Sequence, residues 1–131
     1  GTPMEDLRKT RVAVYCRLAT KEQDTLNAQV EMMKRYVANH PDWELTNIYC
    51  DVCPSARFSQ RIGYAHLLRD ARGRKFSLVA IPKPSRLAKG VCHITMLTDK
   101  LKEAGVTIDY ADGTHTTGVG DLMRLLLAIG K

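Results

Sequence analysis

The residues best suited to chemistry follow three apolar runs. The first run ends in Tyr15-Cys16-Arg17-Leu18-Ala19-Thr20, which carries Arg17 to its tip, with Gln23 and Gln29 on the segment that follows. The second run delivers Asp51 and then, across a loop, Arg61; the third delivers Lys83, Arg86 and Lys89. In open α/β sheets, ligands gather outside the carboxyl ends of the strands. Parallel strands would place these tips on one edge, so four or five cations would converge there. Their mutual repulsion is costly unless an anion sits among them. Phosphoryl transfer calls for such a set, because guanidinium groups fork onto phosphate oxygens and stabilise the charge of the transition state. The competing reading is that these are ordinary solvated side chains. It is weak for Arg17, which ends a buried run, and sufficient for Lys89.

The elements that must position these residues alternate between two periodicities. Residues 11–17 are short, β-branched and continuous, as in a buried strand. A helix is expected over 24–39, with Leu26, Val30, Met33 and Val37 on one face, ended by Pro41. A strand over 45–50 leads to a loop over 51–61. A helix over 64–72 turns Leu67 and Leu68 inward. A strand over 76–81, apolar throughout, reads as central and parallel. After a proline-bounded loop, a helix over 91–104 carries Ile94, Leu97 and Leu101 inward, and Gly105 closes it. A strand over 106–111, a Gly/Thr-rich loop over 112–120 and an apolar helix over 121–129 complete the order. This alternation implies an α/β fold, with a mostly parallel sheet of four or five strands and helices on both faces.

The totals bound the rest. The 131 residues fit one domain, and 44% apolar with 26% charged residues is ordinary for a soluble protein. No run is long enough to cross a bilayer and no signal peptide is evident, so a cytoplasmic location is expected. The net charge of +6 permits contact with a polyanion without requiring it. The four cysteines are expected to be reduced. Cys50-Asp51-Val52-Cys53 is a lone C-x-x-C without the further ligands that a zinc site needs, and Pro54 and Ser55 lead into a polar loop where a redox pair usually opens a helix, so neither metal nor redox function is expected of it. His40, His66, His93 and His115 have no partner spacing that suggests a dyad, and Met32, Met33, Met96 and Met123 read as core filler.

The run from Tyr15 to Gln23 resembles the first active-site motif of the serine site-specific recombinases (the resolvase/invertase family), Y-x-R-V-S-T-x-x-Q. Arg17 and Gln23 match that motif, Gln29 a second glutamine, and Asp51 the acidic residue after the second strand. Arg61 in Arg61-Ile62-Gly63-Tyr64 falls on an R-P-G-F-like segment. Lys83 and Arg86 match K-x-x-S-R-L-x-R, with Lys89 where an arginine is usual. The similarity runs from about residue 11 to 129. Ser85, where small resolvases have aspartate, makes this segment more similar to the large serine recombinases.

The resemblance implies a resolvase-like three-layer domain that cleaves and rejoins DNA through a 5′-phosphoserine, with arginines stabilising the transition state and no metal or nucleotide cofactor. It implies DNA as partner, with dimers and tetramers in the full-length protein. Residues 1–9 would be a tag remnant and flexible terminus. Residues 10–131 would be the catalytic domain, cut within or just after the start of a long helix, hence a monomer or weak dimer. Ala19 stands where the family has its nucleophilic serine, and alanine has no oxygen with which to attack. Either a Ser→Ala replacement or a decayed recombinase fits; Lys89 and the bulkier loop around Phe58 favour decay. Two other readings remain: a non-catalytic recombinase-like regulator, and an unrelated domain for a small phosphorylated ligand. The second lacks any phosphate-binding glycine pattern.

Overall fold

The computed structural model describes residues 9–19, 23–54 and 56–115, with the side chains of Gln23 and Asp24 outside that description. In chain order it contains β1 (Thr10–Leu18), α1 (Gln23–Ala38), β2 (Trp43–Val52), a 3-10 turn (Phe58–Gln60), α2 (Ile62–Arg72), β3 (Leu78–Ile81), α3 (Pro84–Leu87), α4 (Val91–Glu103) and β4 (Thr107–Tyr110). The four strands form one sheet in the order β2-β1-β3-β4, every neighbouring pair parallel. The expected loop after residue 115 and the helix over 121–129 lie outside the described residues, as does Met123.

Strand alternation divides the core in two. Val12, Val14, Cys16 and Leu18 face α1, where they meet Leu26, Met33 and Val37. Ala13 and Tyr15 face the other side, where α2, α3 and α4 supply Leu67, Leu68, Leu87, Ile94, Leu97 and Leu101. Residues 12–18 of β1 are all buried because the strand is central and covered on both faces. Met33 packs in the core as expected, but Met32 and Met96 remain exposed, because each lies off the apolar face of its helix.

Two boundaries differ from the sequence reading in ways that bear on the site. β2 runs on through Asp51 and Val52, since Arg17↔Asp51 and Leu18↔Val52 continue its pairing with β1. Asp51 is therefore a strand residue with a fixed direction. The segment after β3 forms the short helix α3, with Pro84 at its first turn, where a missing N–H costs nothing. Among the described residues, no helix is long and apolar enough to cross a membrane.

Two polar ties brace the layers. The Tyr36 hydroxyl of α1 donates to Asp109 Oδ1 of β4 at 2.6 Å. On the other face, the Tyr49 hydroxyl donates to Asp70 Oδ2 at 2.6 Å, and Arg69 Nε donates to Asp70 Oδ1 at 3.1 Å. The Tyr49 hydrogen bond and the Arg69 guanidinium hold the Asp70 carboxyl down to about 2. A carboxyl lowered in the folded state contributes stability above its unfolded value of about 3.9 and loses it as pH falls toward the folded value. We therefore expect denaturant stability to drop between about pH 4 and pH 2, and Asp70→Asn to flatten that part of the profile. An unchanged slope in the Asn variant would show that the acid loss lies elsewhere.

Candidate functional site

Arg17 is only 2% exposed, and its guanidinium points back into the protein. Nε donates to the Arg86 carbonyl at 3.0 Å, Nη1 to the Cys53 carbonyl at 2.9 Å and Nη2 to the Ser85 carbonyl at 2.8 Å. One cation thus joins the tip of β1 to the end of β2 and to α3. Three charge-assisted hydrogen bonds offset much of what burying it costs. Burial, with help from the neighbouring Arg61 and Arg86 charges, lowers the Arg17 pKa from its ordinary value. An arginine stays protonated even so.

Asp51 anchors a second network. Its Oδ1 accepts the Gly63 N–H at 2.7 Å, and its Oδ2 accepts the Tyr64 N–H at 2.8 Å and the Tyr15 hydroxyl at 2.7 Å. The carboxylate caps the start of α2, where unpaired N–H groups and the helix dipole favour a negative charge. Gly63 makes that approach possible. A Cβ there would lie 2.3 Å from the Cys50 carbonyl oxygen, so a side chain would force the helix off the sheet.

Arg61 joins this network from the residue before α2. Its Nη2 donates to the Tyr15 hydroxyl at 2.9 Å and to the Leu87 carbonyl. The guanidinium carbon lies 5.6 Å from the Tyr15 ring centre and 5.4 Å from that of Tyr64, within cation–π range. Burial, reinforced by the Asp51 carboxylate, pushes the Tyr15 hydroxyl far up, while Arg61 pulls the other way. Tyr15 is therefore a neutral link between Asp51 and Arg61. The sequence motif contains Tyr15 without assigning it a role in the site. The available signal was strand alternation, which puts residues 15 and 17 on the same face.

The open part of the site lies on the α1 side. A groove of about 400 Å³ is lined by Thr25, Ala28, Gln29 and Met32 from α1 and by Pro82, Lys83 and Arg86 from the β3–α3 segment. Gln29 is only 8% exposed, and its Oε1 has no hydrogen-bond partner among the described residues. A terminal amide can turn over, so either its donor or its acceptor end can meet a ligand there. Lys83 is exposed and Arg86 half-buried, so both charges are available to an anion.

The strand tips thus gather Arg17, Asp51, Arg61 and Arg86, while Lys83, Arg86 and Gln29 border the groove. Ala19 is exposed at the bend after β1, and Lys89 is exposed beyond α3. Gln23 begins α1, and its side chain lies outside the described residues, as does Thr20. Of the cations expected at the strand tips, Arg17 and Arg61 hold carbonyl oxygens inside the protein, while Arg86 and Lys83 stay accessible. Among the described residues, no group of three His, Cys, Asp or Glu side chains comes together to hold a metal ion.

Comparison with known proteins agrees with this architecture. A family profile described as "Resolvase, N terminal domain" matches residues 12–130. No curated protein matches the sequence. Among solved structures, the N-terminal catalytic domain of TP901-1 integrase has a TM-score of 0.73 at 21% identity, covering 92% of this chain and 94% of that one. A resolvase family site-specific recombinase from Streptococcus pneumoniae gives 0.72 at 24% identity, covering 93% and 86%. The C-terminal catalytic domain of ISC1926 TnpA, an IS607-like serine recombinase, gives 0.69 at 20% identity, covering 91% and 79%. These likenesses establish the fold, which is the resolvase-like α/β architecture that the sequence pattern anticipates.

The unequal placement of the arginines has a measurable consequence. Arg17→Lys should lower the unfolding free energy by about 3 kcal/mol, because an ammonium cannot reach three carbonyls at once. Arg86→Lys should change it by less than about 0.5 kcal/mol. Urea titration of both variants tests this; equal losses would mean that Arg17 is not the clamp.

Proposed function

We propose that this chain, which belongs to the resolvase N-terminal domain family, is the catalytic domain of a site-specific DNA recombinase in which Ala19 has replaced the nucleophile. The observation that carries this reading is the exposed Ala19, at the tip of the strand whose Arg17 is fixed beside Arg61 and Arg86. A DNA phosphate is the anion that such a tip would take. Arg86 and Lys83 would neutralise its oxygens, and Gln29 would fix its orientation across the groove.

With serine at position 19, the hydroxyl oxygen would attack the phosphorus and lose its proton. The bond to the departing strand would break, leaving a 5′-phosphoserine and a 3′-hydroxyl. The covalent link would conserve the bond energy for rejoining. With alanine the P–O bond cannot form, so this chain would hold DNA without cutting it. Dimers and tetramers would bring the cut sites together.

A second reading, a non-catalytic regulator that binds DNA or a partner recombinase, is favoured by the same alanine and by the inward commitment of Arg17 and Arg61. One experiment separates the two. The Ala19→Ser chain is incubated with supercoiled DNA carrying many sequences, and covalent protein–DNA adducts are sought after denaturation. The recombinase reading expects adducts with Ala19→Ser and none with alanine. Adducts from the alanine chain would reveal another nucleophile, and their absence from both would favour the regulator.

Contact with DNA should rest on phosphates alone and be steeply salt-dependent. Raising salt from 50 to 200 mM should weaken it by about tenfold or more, since each neutralised phosphate adds to the slope. Fluorescence anisotropy on a short duplex measures this; a flat salt profile would contradict phosphate contact.

A further inference from the structure

The sequence places Cys50 beside Cys53 in a C-x-x-C, but the fold gives Cys50 a different partner. Cys16 of β1 and Cys50 of β2 are directly opposite in the parallel ladder. Both belong to the α1 side of the sheet, where Cys16 is fully buried and Cys50 half-buried. Cys53 follows the end of β2, and its charged neighbours are Asp51, Arg61 and Arg17. The fold therefore gives the two thiols of the motif different surroundings and juxtaposes two thiols that are 34 positions apart.

We propose that Cys16 and Cys50 form a redox-reactive dithiol that hydrogen peroxide converts into an intrachain disulfide across β1 and β2. Neighbouring strands lie about 4.8 Å apart, within the Cα separation of about 4.4–6.8 Å that disulfides span. The thiols are close enough to alter each other's ionisation. The Cys16 hydrogen bond lowers Cys50 from its ordinary value, while Cys16 itself is raised by that contact and by burial. Cys50 is therefore the more acidic thiol and the one that water and peroxide can reach, so it reacts first.

The chemistry takes two steps. The Cys50 thiolate attacks one peroxide oxygen, the O–O bond breaks, and Cys50 becomes a sulfenic acid as hydroxide leaves. The Cys16 sulfur then attacks the sulfenic sulfur. An S–S bond forms, the S–O bond breaks, and the oxygen leaves as water with the Cys16 proton. Two thiols lose two electrons in all, and one peroxide gains them. The bond would lie one residue below Arg17↔Asp51, the pair that begins both polar networks. The inference does not depend on the DNA reading.

The test is a peptide map of the whole chain after mild peroxide, with free thiols blocked by alkylation before digestion. The expected product is a peptide pair joining Cys16 to Cys50, two hydrogen masses lighter than the thiols and restored by dithiothreitol. Dimedone should trap sulfenic acid on Cys50 in a Cys16→Ser variant, and Cys50→Ser should leave Cys16 reduced. The map of the unaltered chain stands even if a core variant fails to fold. Two results would overturn the proposal: a Cys50–Cys53 bridge instead, or Cys16 still reduced at peroxide doses that oxidise the exposed Cys92.

Discussion

A buried guanidinium under the strand tips is the constraint on which the rest of this domain hangs. Arg17 projects from β1 one residue before the strand ends, where the sheet gives way to the segments that follow β2 and β3. The carbonyls of Cys53, Ser85 and Arg86 converge on it from two other parts of the chain. A planar group with five donors suits three carbonyls arriving from different directions, and a single ammonium does not. The cost is a charge held away from water, which is tolerable because all three of its nitrogens are hydrogen-bonded.

A second cation close by should make this arrangement worse. Arg61 adds to the downward pull on Arg17, so the two repel. The structure answers with Asp51, one carboxylate that serves a helix start and, through the Tyr15 hydroxyl, the Arg61 guanidinium. The faces of Tyr15 and Tyr64 supply further negative potential. Carboxylate, phenol and guanidinium form one hydrogen-bonded chain, and its geometry requires Gly63 to have no side chain. The accessible cations, Lys83 and Arg86, remain on the rim of the groove, free to meet an anion from outside. Rigid anchors below and open charges above are a division of labour suited to holding a phosphate in a fixed place.

The sequence disclosed the elements well and the roles of the arginines poorly, for physical reasons. Short β-branched runs such as 12–16, and the helical spacing of Leu26, Met33 and Val37, are local signals, and they located β1 and α1 to within a residue. The pairing of Arg17 with Asp51 carried β2 beyond its apolar stretch, which no local pattern reports. Whether a guanidinium faces solvent or a carbonyl depends on where two distant loops end, and spacing is silent on that. Gln29 was legible as a polar residue in a helix, but its burial follows from the way α1 lies against the β3–α3 segment. The cysteines are the clearest case. The eye pairs Cys50 with its sequence neighbour, whereas the strand turns Cys50 to the α1 side beside Cys16 and ends before Cys53.

The strand order carries a consequence for synthesis of the chain. β1 leaves the ribosome before the other three described strands, yet it is an inner strand, flanked by β2 and β3. Its lateral partner at Leu78–Ile81 is translated more than sixty residues later. In the interval, the apolar stretch from Val12 to Cys16 has one edge without a neighbour. Parallel pairings across such distances form slowly, because loop closure is paid before the contacts reward it. A nascent chain of this design therefore carries its most aggregation-exposed strand early, and α1, the next element to emerge, is the one that covers a face of that strand in the folded domain.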